Sequence, residues 1–309
     1  MNRFHFRRRA AGLSILALTA SLVFSACGED KKVSADAAGL GTLEPGVITV
    51  AVQAYAPYTS VVNGELTGLD ADILKAAADK LGLEVRPQVT DFNGMLGGVQ
   101  SHRVDMAIGG VAWTEERQKQ GLFTDPAYYS PPAMAVHGDE KVQTIDDLKN
   151  RRLGTVTGYV WVKSIQAIPG AQLSAFPDAN GVFNDLDSGR IDVGFLDPLI
   201  IIDALKKRPE FDFKTEYLTP PTPDQIKATP ALSYLAPYQV AFYVAKEAPK
   251  LEQAISQEID KMYTNGELNG LITKYGGEPS QFLEPSPEMS TDRQGVDRPK
   301  DWQAPGATS

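Results

Sequence analysis

Short apolar, β-branched runs alternate along this chain with segments of helical period, and that alternation restricts the fold more than any other feature. Val47-Ile48-Thr49-Val50-Ala51-Val52 reads as a buried strand. Leu69, Ile73, Leu74, Ala77 and Leu81 then recur at helical spacing, and Gly82 stands where a left-handed residue ends a helix. A strand over Leu83–Pro87, a short helix over Asn93–Gln100 and a strand over Val104–Ile108 come next. The β-α-β-α-β order predicts a mainly parallel sheet covered by helices. A second cycle begins near Thr144, where Thr144-Ile145-Asp146-Asp147-Leu148 reads as a helix N-cap with acids in the first turn. Strands over Leu153–Val156 and Ile191–Leu196 and a helix over Val160–Ala167 belong to this cycle. A further strand is expected over Gln239–Ala245, and helices over Pro249–Tyr263 and Glu267–Tyr275 close the pattern. Two α/β units joined by extended segments predict a cleft between two lobes.

The N-terminus is of another kind. Arg3, Arg7, Arg8 and Arg9 precede an uncharged apolar run over residues 10–24, then Ser25-Ala26-Cys27, which holds the one cysteine of the 309 residues. A basic head, a short apolar stretch and small residues before the cut describe a secretory signal; the run is too short for a comfortable membrane span of about 20 residues. An ordinary cleavage site beside a chance cysteine fits these residues. Phe24-Ser25-Ala26-Cys27 also resembles a bacterial lipobox, with Phe24 where Leu is usual, and that resemblance implies lipidation of Cys27 and anchoring by several acyl chains. Loss of residues 1–26 removes four arginines, taking the formal charge from −9 to about −13. A chain so acidic, without a basic stripe, is not expected to bind nucleic acid.

Tyr55-Ala56-Pro57-Tyr58 and Gly68-Leu69-Asp70-Ala71-Asp72-Ile73, then Val104-Asp105-Met106-Ala107-Ile108, Thr114-Glu115-Glu116-Arg117 and Phe123-Thr124-Asp125-Pro126-Ala127-Tyr128, stand in one order and spacing. Together with Ser188-Gly189-Arg190-Ile191-Asp192, Asp197 and Tyr263-Thr264-Asn265-Gly266-Glu267, they make residues 43–280 resemble the family 3 bacterial extracellular solute-binding proteins. The resemblance implies a periplasmic-binding-protein-like α/β fold, two lobes joined by two crossing segments around a ligand cleft. It also implies an amino-acid ligand, delivery to the membrane subunits of an ABC permease, a monomer, and no cofactor.

By resemblance, Arg117 grips the ligand carboxylate with its planar fork; read alone, it is as well a surface arginine among Glu115, Glu116 and Lys119. Asp197 ends an apolar strand, where open α/β sheets bind ligands. By resemblance it takes the α-ammonium, and it also fits as the cap of a helix beginning at Pro198. The backbone of Gly110 and Ala112 is expected to hold the amino-acid main chain, in a loop where the family often places Ser or Thr. In the Thr157-Gly158-Tyr159-Val160-Trp161 loop only backbone N–H groups at a helix start serve an anion. Tyr55 and Phe92 either stack on the ligand or fill the core, and Tyr159 and Trp161 either wall the pocket or pack inside. Val52, Gln53 and Ala54 stand where relatives selective for cationic amino acids often carry an acid, which favours a neutral, polar or aromatic-tolerant ligand over a cationic one, with Gln53 as a hydrogen-bonding partner.

His5, His102 and His137 are scattered and form no metal cluster, and no phosphate loop or nucleophile elbow is present. Two rivals use the same cleft: a dehydratase-like enzyme, with Asp72 or Asp91 as general acid, and a sensor lipoprotein that signals occupancy to a partner. The expected organisation is a signal over 1–26, a flexible tether over 27–42, one lobe from 43–130 plus 236–284, a second from 131–235, and a disordered tail over 285–309. The crossings are expected near 128–132 and 231–238, stiffened by Pro131, Pro132, Pro230 and Pro237.

Overall fold

The structure, a computed structural model, describes residues 39–307. The signal segment, Cys27 and most of the expected tether lie outside the described residues.

The chain enters through β1 (Val47–Val52), makes a hairpin of β2 (Ser60–Val62) and β3 (Glu65–Thr67), and continues through β4 (Glu84–Val89), β5 (Met106–Ala107) and β6 (Leu122–Phe123). It crosses on β7 (Tyr128–Ser130) to a second lobe of β8 (Ala133–His137), β9 (Arg152–Val156), β10 (Gln172–Phe176), β11 (Val193–Leu196) and β12 (Phe213–Tyr217). It returns on β13 (Tyr238–Val240), which pairs antiparallel with β7, and ends the first sheet with β14 (Tyr243–Val244).

Each lobe is built on five strands, ordered β4-β1-β5-β14-β6 in the first and β10-β9-β11-β8-β12 in the second. β1 is parallel to β4 and β5, and β9 is parallel to β10 and β11. In both lobes the chain therefore leaves a strand in one direction through a helix and returns on its other side through another. Such a reversal opens a crevice at the carboxyl ends of the parallel strands, where their loops diverge. The two crevices supply the cleft.

The local reasons are ordinary ones. The helix over Leu69–Leu81 buries Leu69, Ile73, Leu74 and Ala77 and ends at Gly82 with φ of 68°. β4 is an edge strand and tolerates Pro87, whose missing N–H breaks no interior ladder. Residues 144–148 form only a 3₁₀ turn over Asp146–Leu148, not the start of a helix. The Asp147 carboxylate there accepts from Thr144 Oγ1 and from the Gln143 and Thr144 N–H groups, closing a turn rather than propagating one. The run over Gln239–Ala245 is divided between β13 and β14, because the crossing strand leaves one sheet before the next begins.

Two expectations are corrected at the ends of the chain. Leu40 packs against the core and the Leu43 N–H donates to Asp105 Oδ1 at 2.7 Å, so the last residues of the expected tether belong to the lobe. The tail expected to be disordered is packed over 285–307, with Arg293 fully buried and Met289 and Ala304 against Tyr129. Its scarcity of aliphatic residues is the reason to expect disorder; arginine, aspartate and tryptophan contacts hold it instead.

Candidate functional site

The residues singled out in the sequence converge at the facing ends of the two sheets. Tyr55 follows β1, Phe92 opens the helix after β4, and Gly110 and Ala112 follow β5. From the other side, Tyr159 and Val160 follow β9, Trp161 opens the helix over Trp161–Ala167, and Asp197 directly follows β11. All but Tyr55 line one small pocket together with Arg117 and Tyr238, and its volume is about 10 Å³, room for about one water. Tyr55 reaches the same place through its hydroxyl.

Arg117 sits on a short helix, Glu115–Gln118, capped by Thr114, whose Oγ1 accepts from the Arg117 N–H at 3.1 Å. Its side chain turns inward rather than along the acidic surface. Nη1 donates to the Ala112 carbonyl at 2.8 Å and Nη2 to the Gly158 carbonyl of the other lobe at 3.0 Å, while the guanidinium lies 5.2 Å from the Phe92 ring centroid. Burial lowers its pKa to about 10, and among the described residues no carboxylate oxygen comes within 4.0 Å of it. This cation is held by neutral carbonyls and an aromatic face alone. Gly158 adopts φ of 87°, and a Cβ there would meet Asn93 Oδ1 at 2.3 Å, so the carbonyl that reaches Arg117 depends on glycine.

Asp197 occupies the N-cap position of the helix over Pro198–Lys207, yet its side chain makes no capping bond. It turns into the cleft, 3% exposed, and accepts from Tyr55 Oη at 2.5 Å, from Tyr238 Oη, and from Ser130 Oγ at 3.4 Å. Burial raises its pKa and the three hydroxyls work against that rise. Asp197 thus mirrors Arg117 as a charge solvated by neutral groups on the opposite lobe, fully buried where Arg117 is half-buried.

Aromatic rings close the space between them. Tyr159 meets Phe92 edge-on at 4.9 Å, Tyr55 at 5.9 Å and Trp161 at 5.9 Å, and Trp161 meets Tyr238 at 5.9 Å. Gln53 Nε2 donates to Tyr159 Oη at 3.0 Å, a bond between lobes. Trp161 is 1% exposed, and among the described residues its Nε1–H has no partner. Trp161 is at once a core residue and part of the lining of the pocket.

The backbone loops are more committed than the sequence suggests. The Gly110 N–H donates to Asp70 Oδ2 at 3.0 Å, the Ala112 carbonyl accepts from Arg117, and the Tyr159 N–H donates to Val156 O at 3.1 Å. Gly110 has φ of 69°, and a Cβ there would sit 3.3 Å from Asp197 Oδ2 and 3.4 Å from Tyr55 Cε1. Asp70 also accepts from the Gly109 N–H at 2.9 Å and Tyr128 Oη at 2.8 Å, tying a helix start, the Gly109–Gly110 turn and a crossing strand to one carboxylate. Burial raises the Asp70 pKa to about 6.

Sequence reasoning misses Tyr238 and Ser130. Both lie on the crossing strands, which read as connectors only; the signal is their place beside prolines on segments that have to pass the cleft. Asp72 and Asp91 do not line the cavity. Asp72 accepts from Lys274 Nζ at 2.6 Å and Tyr275 Oη at 2.8 Å, and Asp91 caps its helix by accepting from the Gly94 N–H at 2.7 Å. Outside the cavity, Arg117, Tyr159 and Val160 also border an open pocket of about 330 Å³, spanned by the Lys163–Glu116 ion pair at 2.5 Å.

Comparison with known proteins agrees with this geometry. The chain is 26% identical over 274 residues to the probable amino-acid-binding protein YxeM of Bacillus subtilis (strain 168), covering 86% of this chain and 95% of that protein. It superposes on the crystal structure of the substrate binding protein of an amino acid ABC transporter with a TM-score of 0.64 at 28% identity, covering 75% of this chain and 99% of the other. An ancestral arginine-binding protein bound to glutamine gives a TM-score of 0.65 at 26% identity, covering 76% and 100%. These relatives are binding proteins, and so is this chain, rather than an enzyme. The sequence profile of the bacterial extracellular solute-binding proteins, family 3, matches residues 48–278, and the chain belongs to that family.

Proposed function

We propose that the cleft binds the zwitterionic main chain of a neutral amino acid and that the closed form delivers it to an ABC permease. One observation carries the reading. Arg117, half-buried, and Asp197, fully buried, are opposite charges lining one pocket from opposite lobes, each solvated by neutral groups. An α-carboxylate satisfies the first and an α-ammonium the second, and a ligand bearing both joins the lobes.

A cavity of about 10 Å³ holds no amino acid, so the lobes part for entry and close around the ligand, bending where the crossing strands run into Pro131, Pro132 and Pro237. The proposed lobes are 43–130 plus 236–284, and 131–235, the first extended by the packed residues 40–42 and 285–307. Gln53 and the Trp161 Nε1–H offer donors, with no charge, to a polar side chain. That favours a ligand of the glutamine kind, in keeping with the glutamine held by the ancestral relative. Lipidation of Cys27 would anchor the receptor, as a monomer, at the outer face of the cell membrane.

The test is a thermal-shift screen against the proteinogenic amino acids, run on the wild type and on Arg117→Ala. The expected result is a raised midpoint for a narrow set of neutral amino acids, absent in the variant. No shift with any amino acid in the wild type would end the assignment.

A further inference from the structure

The family match ends at residue 278, and the C-terminal segment beyond it is neither loose nor remote from the cleft. Residues 285–307 run along the first lobe against the roots of the crossing strands. Arg293, fully buried, lies between the rings of Trp113 and Trp302, at 5.4 and 5.6 Å from their centroids. Its Nη1 donates to the Thr124 carbonyl at 2.8 Å, Nη2 to the Phe123 carbonyl at 3.2 Å, and Nε and Nη2 to the Asp297 carboxylate at 3.1 and 2.5 Å. Asp297 in turn accepts from Trp113 Nε1 at 3.3 Å. Arg298 donates to Asp125 Oδ1 at 2.8 Å and Glu252 Oε1 at 2.9 Å, and Trp302 Nε1 to Asp125 at 3.0 Å.

The same segment grips both crossing strands. Tyr129 Oη of β7 donates to the Pro305 carbonyl at 2.6 Å, and Gln239 Nε2 of β13 donates to Asp292 Oδ1 at 2.6 Å and to the Met289 carbonyl at 3.2 Å. Trp113 is the link to the site. It stands between Ala112, whose carbonyl holds Arg117, and Thr114, which caps the helix bearing Arg117, and its own N–H donates to the Gln239 carbonyl at 2.9 Å.

We propose that residues 285–307 are a hinge strap, and that Arg293 is a positioning residue: clamped between Trp113 and Trp302, it fixes the turn that presents Arg117 and secures β7 and β13 to the first lobe, setting the balance between open and closed cleft. Directional bonds from a buried guanidinium to the Phe123 and Thr124 carbonyls specify the strap's register in a way that apolar packing does not. With Tyr129 and Gln239 held, bending is confined to the residues beyond them, Pro131-Pro132 on one strand and Ala236-Pro237 on the other. A strap that only added stability would leave the lobe equilibrium unchanged. The inference extends the binding reading, since Arg117 matters to it as a ligand contact, but the lobe equilibrium itself is measurable without ligand.

The experiment measures the distance between nitroxide labels on cysteines replacing the exposed Thr90 and Gln166, one on each lobe. The protein is the full chain in detergent with Cys27→Ser. Wild type, Arg293→Lys and a chain truncated after residue 284 are compared without ligand and with an equimolar mixture of the proteinogenic amino acids. The expected result is a longer and broader distance distribution in both variants without ligand. At retained cooperative unfolding, about a tenfold higher amino-acid concentration is then needed for half closure, because affinity falls with the fraction of competent conformer. Ligand-free distributions identical to wild type in the folded variants would overturn the strap. If the truncated chain does not fold, Arg293→Lys decides alone. A wild type that fails to close with any amino acid refutes the ligand reading and leaves the ligand-free comparison to judge the strap.

Discussion

Replacing Arg117 by methionine separates a binding charge from a structural one. The lowering of its pKa from 12.5 to about 10 corresponds to about 3 kcal/mol disfavouring the cation in the folded protein. Arg117 is only partly sealed, and water at the pocket mouth screens it, so the effective penalty is about half of that, roughly 1–2 kcal/mol. Methionine removes the penalty and forfeits two bonds to the carbonyls of Ala112 and Gly158, worth about 1 kcal/mol each. The terms nearly cancel, and the expected change in unfolding free energy is within about 1 kcal/mol of zero. Arg293→Met is the internal control: it strips a buried partner from Asp297 and should cost about 3–5 kcal/mol. Binding should behave in the opposite order, with Arg117→Met losing about a hundredfold or more for the ligand found in the screen, since two charge-assisted bonds to a carboxylate disappear. Urea denaturation gives the first quantity and titration calorimetry the second. An Arg117→Met variant that loses more than about 2 kcal/mol of stability yet binds as the wild type does would refute the reasoning, because Arg117 would then be a structural group.

Three further outcomes are expected. Asp197→Asn should fold with little loss yet bind at least about tenfold more weakly by calorimetry, whereas Asp197→Ala should also lose stability, about 1–3 kcal/mol for each tyrosine hydroxyl left without an acceptor; equal stability of the two would count against the hydroxyl cage. Gln53→Glu keeps a partner for Tyr159 Oη and adds a charge at the side-chain end of the cleft, so preference in competition binding should move towards arginine and lysine by about tenfold. Asp70, with a folded pKa of about 6 against 3.8, takes up its proton in the folded state first; the stability it contributes is fully present below about pH 4 and is lost as pH rises through 6, by about 3 kcal/mol in all. The difference in unfolding free energy between wild type and Asp70→Asn should therefore change steadily between pH 4 and 6, and a flat difference would show that Asp70 does not titrate there.

Legibility in the sequence depends on how local each signal is. β1 and the helix over Leu69–Leu81 are legible because their apolar periods and the Gly82 stop lie within one segment. The gathering of Arg117, Asp197, Phe92 and Trp161 into one cavity is legible through family resemblance, since nothing in their spacing brings β5 and β11 face to face. β10, β12 and the helix over Ala179–Asp187 escape a sequence reading, because their periods are short and mixed with polar residues, as befits edge strands and half-exposed helices. The role of Tyr238 depends on Asp197, 41 residues away, and no local pattern marks such a pair. The strap is hidden for the same reason: its order comes from Phe123, Thr124 and Asp125, about 170 residues upstream.

On the proposed reading, the charges of Arg117 and Asp197 also set the scale of cleft closing. Driving a two-state equilibrium from 1:99 to 99:1 takes a ligand that prefers one state by about 5.5 kcal/mol. A unit charge about 4 Å from its partner in surroundings of intermediate polarity gains about 4 kcal/mol. The Arg117 contact, made in the open cleft as well as the closed one, adds affinity to both states alike and shifts nothing. The Asp197 contact, made only when the second lobe closes on a ligand already on Arg117, supplies the preference, and about 4 kcal/mol moves a 1:99 equilibrium to roughly 9:1. A solute with a carboxylate but no ammonium would thus bind the first lobe and leave the cleft open. Discrimination of amino acids from simple carboxylates resides, on the proposed reading, in the closing step.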